Sequence, residues 1–421
     1  MQAVIAIPEL SVLRKYADAE GVLTRGIAGV PLLVRVIATA RRAGVDSLLV
    51  ILPPGLDRSI WNRCAASPLL HGLQIACTVR PFDARRHDNW LAIAASLAEQ
   101  FLWLPWNWVT HKRALMELAP LAVQPVSWDA PALLERRAAI SHTRIQLAAG
   151  TADGYRITPL TATAAAERFL VARSGKPTDG IYSKFNRLLC RPAVRLLAHT
   201  PVTPNMVTTG GLIVAMIAAF LFARGFYASY VAGALLFFLS GLFDEVDGML
   251  ARITFRESVF GTWFEGLVDE ATYLIVFSGI TAGLYRERGS GELIYGYLLI
   301  AGCVLSVAVT RLQRKLATAP DRPHEYAGRL NHLMESDSRN LISRAVRHIH
   351  IFIKKGVSIH YILIFTVLGG LPLLLRLAAS GANLTWMVSL YFNWKFFRRP
   401  PVPVGETRAA ITETPTAAET L

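Results

Sequence analysis

Six apolar stretches follow one another after residue 204, at about 205–224, 227–243, 264–284, 292–312, 357–376 and 380–397. Each is close to the ~20 residues a helix needs to cross a bilayer. In hydrocarbon every backbone amide must be satisfied within its own segment, so such runs are read as helices. The second half of the chain is therefore expected to be an all-α six-helix transmembrane domain. A hydrophobic fraction of 53% agrees with that reading. Pro372 falls in the fifth stretch, which predicts a kinked or tilted pair at 357–397.

The first half has a different grammar. Ala3 to Ile7, Ser47 to Leu52, Leu73 to Val79 and Phe101 to Leu104 read as short strands, and Pro31 to Ala43 reads as a helix. Strand and helix in alternation predict an α/β domain with a parallel sheet over residues 1–150. An Ala/Thr-rich linker follows at 151–180, with a turn at Lys176-Pro177-Thr178-Asp179-Gly180. The membrane domain is then expected at 181–399. Its entrance, Ile181 to Ala198, sets Lys184, Arg187, Arg191 and Arg195 among Phe185, Leu188, Leu189 and Leu196, the pattern of an interfacial helix. Residues 400–421, rich in Pro, Thr and Ala, read as a disordered tail. Met1 to Leu10 lacks the basic and apolar regions of a signal peptide. Cys64, Cys77, Cys190 and Cys303 show neither zinc-site nor disulfide spacing.

The net charge is +14. With six spans, Arg252, Arg256, the basic 313–356 stretch and Lys395-Phe396-Phe397-Arg398-Arg399 fall on one side, and Arg224, Arg286, Arg288 and Arg376 on the other. The richer side is expected to face the cytoplasm, which puts both termini there, in an inner or plasma membrane. Such charge suits anionic lipid and phosphorylated substrates. The basic residues track the span ends without an aromatic platform, so no nucleic-acid partner is expected. Arg311, Arg314, Arg339, Arg344, Arg347, Lys354 and Lys355 read equally as topology markers and as contacts for an acceptor phosphate. His348 and His350, two apart, have no carboxylate or cysteine spaced to make them metal ligands.

Carboxylates are costly at membrane depth and tend to mark function. Asp244 and Asp247, three apart, share a helix face at the end of the second span. Gly261, Glu265 and Asp269 follow in i+4 steps at the start of the third. An antiparallel hairpin brings these faces together, and four acidic groups so placed repel unless cations lie among them. Hard divalent ions, Mg²⁺ or Mn²⁺, match such oxygen ligands. Gly248 and Gly261 allow close approach of helix or nucleotide. Arg252 suits a phosphate or a carboxylate.

This stretch, Asp244, Asp247, Gly248, Ala251, Arg252, Gly261, Glu265, Asp269, resembles the D-x2-D-G-x2-A-R-x8-G-x3-D-x3-D motif of the CDP-alcohol phosphatidyltransferase family, with every spacing kept. Thr203-Pro204-Asn205 is similar to the Thr-Pro-Asn that opens that family's first span. The resemblance implies metal at Asp244, Asp247 and residue 265, and Asp269 as general base that also touches metal. It implies a CDP site shaped by Gly248, Ala251, Arg252 and Gly261. The implied reaction moves a substituted phosphate from a CDP-alcohol donor to an alcohol or polyol-phosphate acceptor, with CMP released, beside the lipid bilayer. Dimers are common in the family, so a homodimer is among the implied partners. The departure is Glu265 in place of the third aspartate. It leaves two readings, an enzyme with an adjusted site or a catalytically silent membrane scaffold.

Ile27-Ala28-Gly29-Val30-Pro31-Leu32-Leu33 and Ala43-Gly44-Val45-Asp46 resemble sugar-phosphate nucleotidyltransferases. Two of that family's features are missing. Pro8-Glu9-Leu10-Ser11 replaces the Gly-rich phosphate loop, and Pro105-Trp106-Asn107-Trp108 has asparagine where a metal-binding aspartate is usual. A degenerate, nucleotidyltransferase-like domain for folding, dimerisation or regulation is expected.

Overall fold

The computed structural model describes residues 1–16, 18–118, 128–140, 153–160, 163–175, 180–317 and 355–396. Expectations for His348, His350, the basic residues at 339–354 and the tail lie outside them. The chain divides into two compact units, Met1–Asp179 with Arg187–Pro204 and Val246–Ser258, and Gly180–Asn186 with Asn205–Glu245 and Val259–Leu421.

The first unit is built on a five-stranded sheet of β1 (Gln2–Ala6), β2 (Ser47–Leu52), β3 (Gln74–Val79), β4 (Gln100–Trp103) and β5 (Ala132–Glu135). The order is β3-β2-β1-β4-β5, parallel throughout except for β5, which runs antiparallel to β4. β1 is central, and its continuous apolar run reflects burial on both faces. Ala3, Ile5 and Ile7 enter one core with Leu33, Ile37 and Val50, while Val4 and Ala6 enter the other with Leu49, Phe101 and Trp103. The second core is organised by the fully buried Trp90, whose Nε1 donates to Ala84 O at 2.8 Å. β5 was not anticipated. It is an edge strand of four residues with only a weak apolar signal.

After β1 the chain makes a short helical turn, Leu10–Leu13, that sinks Leu13 into the core. The hairpin Gly26–Ile27/Val30–Pro31 turns through Ala28 (φ +47°) and Gly29 (φ +76°), two left-handed residues as a tight two-residue hairpin requires. Helix α1 (Leu32–Arg42) follows, with nine consecutive buried residues from Leu32 to Ala40. Helix α2 (Thr163–Arg173) completes this part. Helix α3 (Ile181–Leu197) leaves Ile181, Phe185, Leu188, Leu189 and Leu196 exposed, the apolar face of the expected interfacial helix.

Six described helices follow: α4 (Pro204–Ala223), α5 (Tyr227–Thr254), α6 (Val259–Arg288), α7 (Gly291–Ala317), α8 (Lys355–Val367) and α9 (Leu371–Phe396). Pro204 opens α4, where its missing N–H leaves no bond unmade. Among the described residues, α4, α6, Gly291–Gln313 of α7 and Leu371–Lys395 of α9 are long and apolar enough to cross a membrane. α5 carries Asp244, Glu245, Asp247 and Arg252 in its last eleven residues, after the apolar run Tyr227–Phe243. α8 is short and apolar.

α5 continues eleven residues past 243, from Asp244 to Thr254, and so carries Asp244 and Asp247 on its own helical end, as their spacing predicts. One expected boundary is corrected. The break near the fifth span comes at Gly369 (φ +71°), not after 376, and Pro372 sits in the first turn of α9, where it kinks nothing. α6 meets α4 through Gly279 and Gly283. A Cβ on either would lie 2.4 Å from Ala219 O or 2.0 Å from Phe222 O. At the arginine-poor ends, Arg286 Nη1 donates to Ala223 O at 2.6 Å, the last turn of α4, and Arg376 pairs with buried Glu292 at 2.8 Å. These arginines therefore serve helix ends locally.

Candidate metal centre

The α5–α6 hairpin places the acidic motif. Asp244, Asp247, Gly248, Ala251 and Arg252 lie on the last turns of α5, and Gly261, Glu265 and Asp269 on the first turns of α6. Asp244, Asp247 and Glu265 each direct a carboxylate oxygen to within 4.8 Å of the other two. Asp247 is 3% exposed, and Asp244 and Glu265 are half-buried. Two ionised carboxylates at 4.8 Å repel by about 3 kcal/mol at an effective dielectric of ~20. A fold that gathers three of them, one almost wholly buried, gives back that energy when a cation joins the set. The donors are all hard oxygens, which fits Mg²⁺ or Mn²⁺ and not a soft metal. The extra methylene of Glu265 does not take it out of the cluster.

Asp269, one turn beyond Glu265, is half-buried and is not among the three clustered residues. Its neighbour Glu270 is paired with Arg311 of α7, so that arginine has a carboxylate partner within the bundle. Gly248 makes room for a side chain: a Cβ there would lie 3.3 Å from Arg252 Nη1. The Arg252 guanidinium is anchored by Nε, which donates to Ser174 O at 2.7 Å just past the end of α2. Ala251 accepts from Arg256 N at 2.9 Å across the left-handed residue Phe255 (φ +59°), which closes α5 with a bulky residue where glycine is usual. Arg256 in turn donates to Val202 O at 3.1 Å.

Sequence reasoning passed over Arg35. It sits in the middle of the apolar run of α1 and is 2% exposed. Burial pushes its guanidinium down to about 9, with Glu167 opposing the shift, so it is still a cation at neutral pH. The signal was available in the sequence: a lone arginine within nine buried helical positions needs specific acceptors.

The front of the α/β unit shows the opposite economy. Asn107, 4% exposed, donates through Nδ2 to Ile157 O at 2.6 Å. The chain after β1 forms the helical turn Leu10–Leu13.

Residues 201–388 match the family model for CDP-alcohol phosphatidyltransferase. Over 108 residues the chain is 38% identical to an archaetidylinositol phosphate synthase of Methanothermobacter thermautotrophicus, covering 24% of this chain and 54% of that protein. Over 194 residues it is 25% identical to a bifunctional IPC transferase and DIPP synthase of Aquifex aeolicus, covering 46% of this chain and 39% of that protein. An archaetidylinositol phosphate synthase of Pyrococcus horikoshii is 26% identical over 104 residues, 24% of this chain and 54% of that protein. The chain thus spans between 39% and 54% of the length of these curated relatives. The eight-residue motif and the three gathered carboxylates both fall inside the stretch, residues 201–388, that matches this family model.

Proposed function

We propose that this chain is an integral-membrane CDP-alcohol phosphotransferase. It moves a substituted phosphate from a CDP-alcohol to an acceptor hydroxyl. The observation that carries the reading is the convergence of Asp244, Asp247 and Glu265 within 4.8 Å. A divalent ion held there, Mg²⁺ or Mn²⁺, supplies neutralising charge for the donor pyrophosphate and for the departing CMP. Gly248, Ala251 and Gly261 form the wall against which the cytidine nucleotide lies, and Arg252, fixed through Nε, orients a donor phosphate. Asp269 takes the proton of the acceptor hydroxyl. The acceptor oxygen then bonds to the β-phosphorus as the bond from that phosphorus to the CMP oxygen breaks. The products are a phosphodiester and CMP.

Two of the relatives are named for making archaetidylinositol phosphate. Carried to this chain, that name favours a phosphorylated polyol as acceptor and a lipid CDP-alcohol as donor. The arginine-rich span ends support a topology with both termini in the cytoplasm. We assign residues 1–150 a supporting role as a degenerate nucleotidyltransferase-like domain, joined by 151–180 to the transferase at 181–399. The engaged amide of Asn107 and the helical turn after β1 support that assignment.

The test is a screen of CDP-alcohols and acceptors with the purified full chain, read by CMP release and by mass spectrometry of the product. Metal-dependent CMP release with a matching phosphodiester is expected. Failure with every donor, together with no Mn²⁺ binding, would leave a membrane scaffold of the same fold.

A further inference from the structure

The compact unit that contains the α/β sheet also contains Val246–Ser258, the end of α5 and the connector that leads to α6. The groups that hold this segment come from α1 and the hairpin before it. Arg35 donates from Nε and Nη2 to Ile27 O at 3.0 and 2.8 Å, from Nη2 to Ala28 O at 3.3 Å, and from Nη2 to Ile253 O at 2.7 Å. The last carbonyl belongs to the final turn of α5, whose i+4 amide partner the helix no longer supplies. Arg42 donates from Nη2 to Phe255 O at 2.9 Å and pairs with Glu257. The Arg35 and Arg42 guanidinium carbons each lie 5.0 Å from the centroid of the Phe255 ring. Phe255 is also the residue in left-handed conformation, a state that a bulky side chain keeps only where its surroundings impose it. One turn earlier, Arg252 is tied to Ser174 O.

The hairpin itself is seated. Ala28 N donates to Glu167 at 2.9 Å, and a Cβ on Gly29 would lie 2.1 Å from Ala198 O, so only glycine fits against the end of α3. Ile27 to Leu33 is the stretch whose sequence resembles a nucleotidyltransferase, and here its carbonyls hold Arg35, which reaches the end of α5.

We propose that Arg35 and Arg42 are positioning residues for the transferase site, a clamp that fixes the end of α5 and with it the metal-binding face that carries Asp244 and Asp247. The proposal rests on the phosphotransferase reading. The clamp acts at the backbone of Ile253–Glu257, and a side chain on α5 is aimed by where its helix ends. A slip of the last turn rotates Asp247 and Arg252 together, which lowers turnover more than it lowers donor binding.

The test uses the full chain, purified in detergent, with Arg35→Met, Arg42→Gln, Arg42→Lys and Phe255→Gly. Phe255→Gly keeps the left-handed cap comfortable while removing both ring contacts, so it tests the clamp without burying a changed side chain in the core. Three readouts are taken: kcat and donor KM from CMP release, Mn²⁺ affinity by paramagnetic resonance with the metal alone, and amide hydrogen exchange over 251–258. Charged hydrogen bonds of this kind imply a fall in kcat of roughly 10-fold to 100-fold for Arg35→Met, with donor KM changed by less than about 3-fold. Phe255→Gly and Arg42→Gln fall by about 3-fold to 10-fold, and Arg42→Lys recovers part of that loss. Mn²⁺ affinity weakens and exchange over 251–258 quickens in the same order. Faster exchange with unchanged kcat and unchanged Mn²⁺ affinity would overturn the clamp. If the unaltered protein releases no CMP, the phosphotransferase reading fails, and Mn²⁺ affinity against exchange still decides the clamp.

Discussion

The acidic face of the α5–α6 hairpin and the Pro105–Trp108 turn treat their polar groups in opposite ways. In the hairpin three carboxylates are held within 4.8 Å of one another against their mutual repulsion. At the turn sits Asn107, whose amide donates to Ile157 O in the core. A polar group used up by the fold has little left for a ligand, while a group kept in an unfavourable place signals that something else completes it. The lesson is practical: the energetic direction of a polar cluster points to a ligand site better than residue identity does.

That contrast is sharpest at Asp247. Asp247→Asn is expected to lower CMP release by on the order of 10²–10³-fold while raising the melting temperature of the metal-free protein, since one charge of the repelling set is gone. A melting temperature that falls along with activity would mean that the carboxylates are structural. The reverse experiment is Asn107→Asp. Burying a carboxylate opposite Ile157 O is expected to cost about 3 kcal/mol in urea unfolding and to yield no nucleotidyl transfer. Measurable transfer from this variant would break the comparison.

Glu265→Asp tests how far the cluster tolerates its departure from the aspartate pattern. Because Glu265 already reaches the other two carboxylates, shortening it is expected to change activity and half-saturating Mn²⁺ by less than about 10-fold, whereas Glu265→Gln costs ~10²-fold. The smallest effect expected is in the α/β unit. Burial holds the His111 imidazole below its usual value, outweighing the bond to Leu170 O. The unfolded chain therefore binds the proton first, and stability is present above the ordinary histidine range and lost as pH falls through it. Melts of the wild type and His111→Gln between about pH 7.5 and about pH 5.5 should diverge, with the wild type losing more.

Much of this could be read in the residues. The strands at Ser47–Leu52 and Gln74–Val79 and the helix Leu32–Arg42 follow from apolar runs bounded by turn residues, and each begins and ends within a residue of its expected place. The acidic cluster was legible because i+3 and i+4 spacing on two successive helices fixes a face. What was not legible depends on tertiary partners. How far α5 runs past the acidic residues, to Thr254, depends on the contacts that hold its end. β5 has too few residues to carry a pattern. The Gly369 break was masked by Pro372, the more obvious breaker, which turned out to begin a helix rather than bend one. The role of Arg35 required knowing that Ile27 O and Ile253 O, 226 residues apart in the chain, lie within reach of one guanidinium.

The aromatic core behind β1 and β4 has an optical consequence. Trp90, Trp103 and Trp128 have ring centroids 5.1–5.7 Å apart, some stacked and some edge-on. Indoles so close share their electronic transitions, and the resulting couplet in circular dichroism exists only while the three rings keep their mutual angles. Trp386 and Trp394, on α9, are not among the rings recorded in contact with this trio. The sheet unit thus carries a built-in chromophore by which its melting can be followed separately from that of the helices, in the intact protein and without a label.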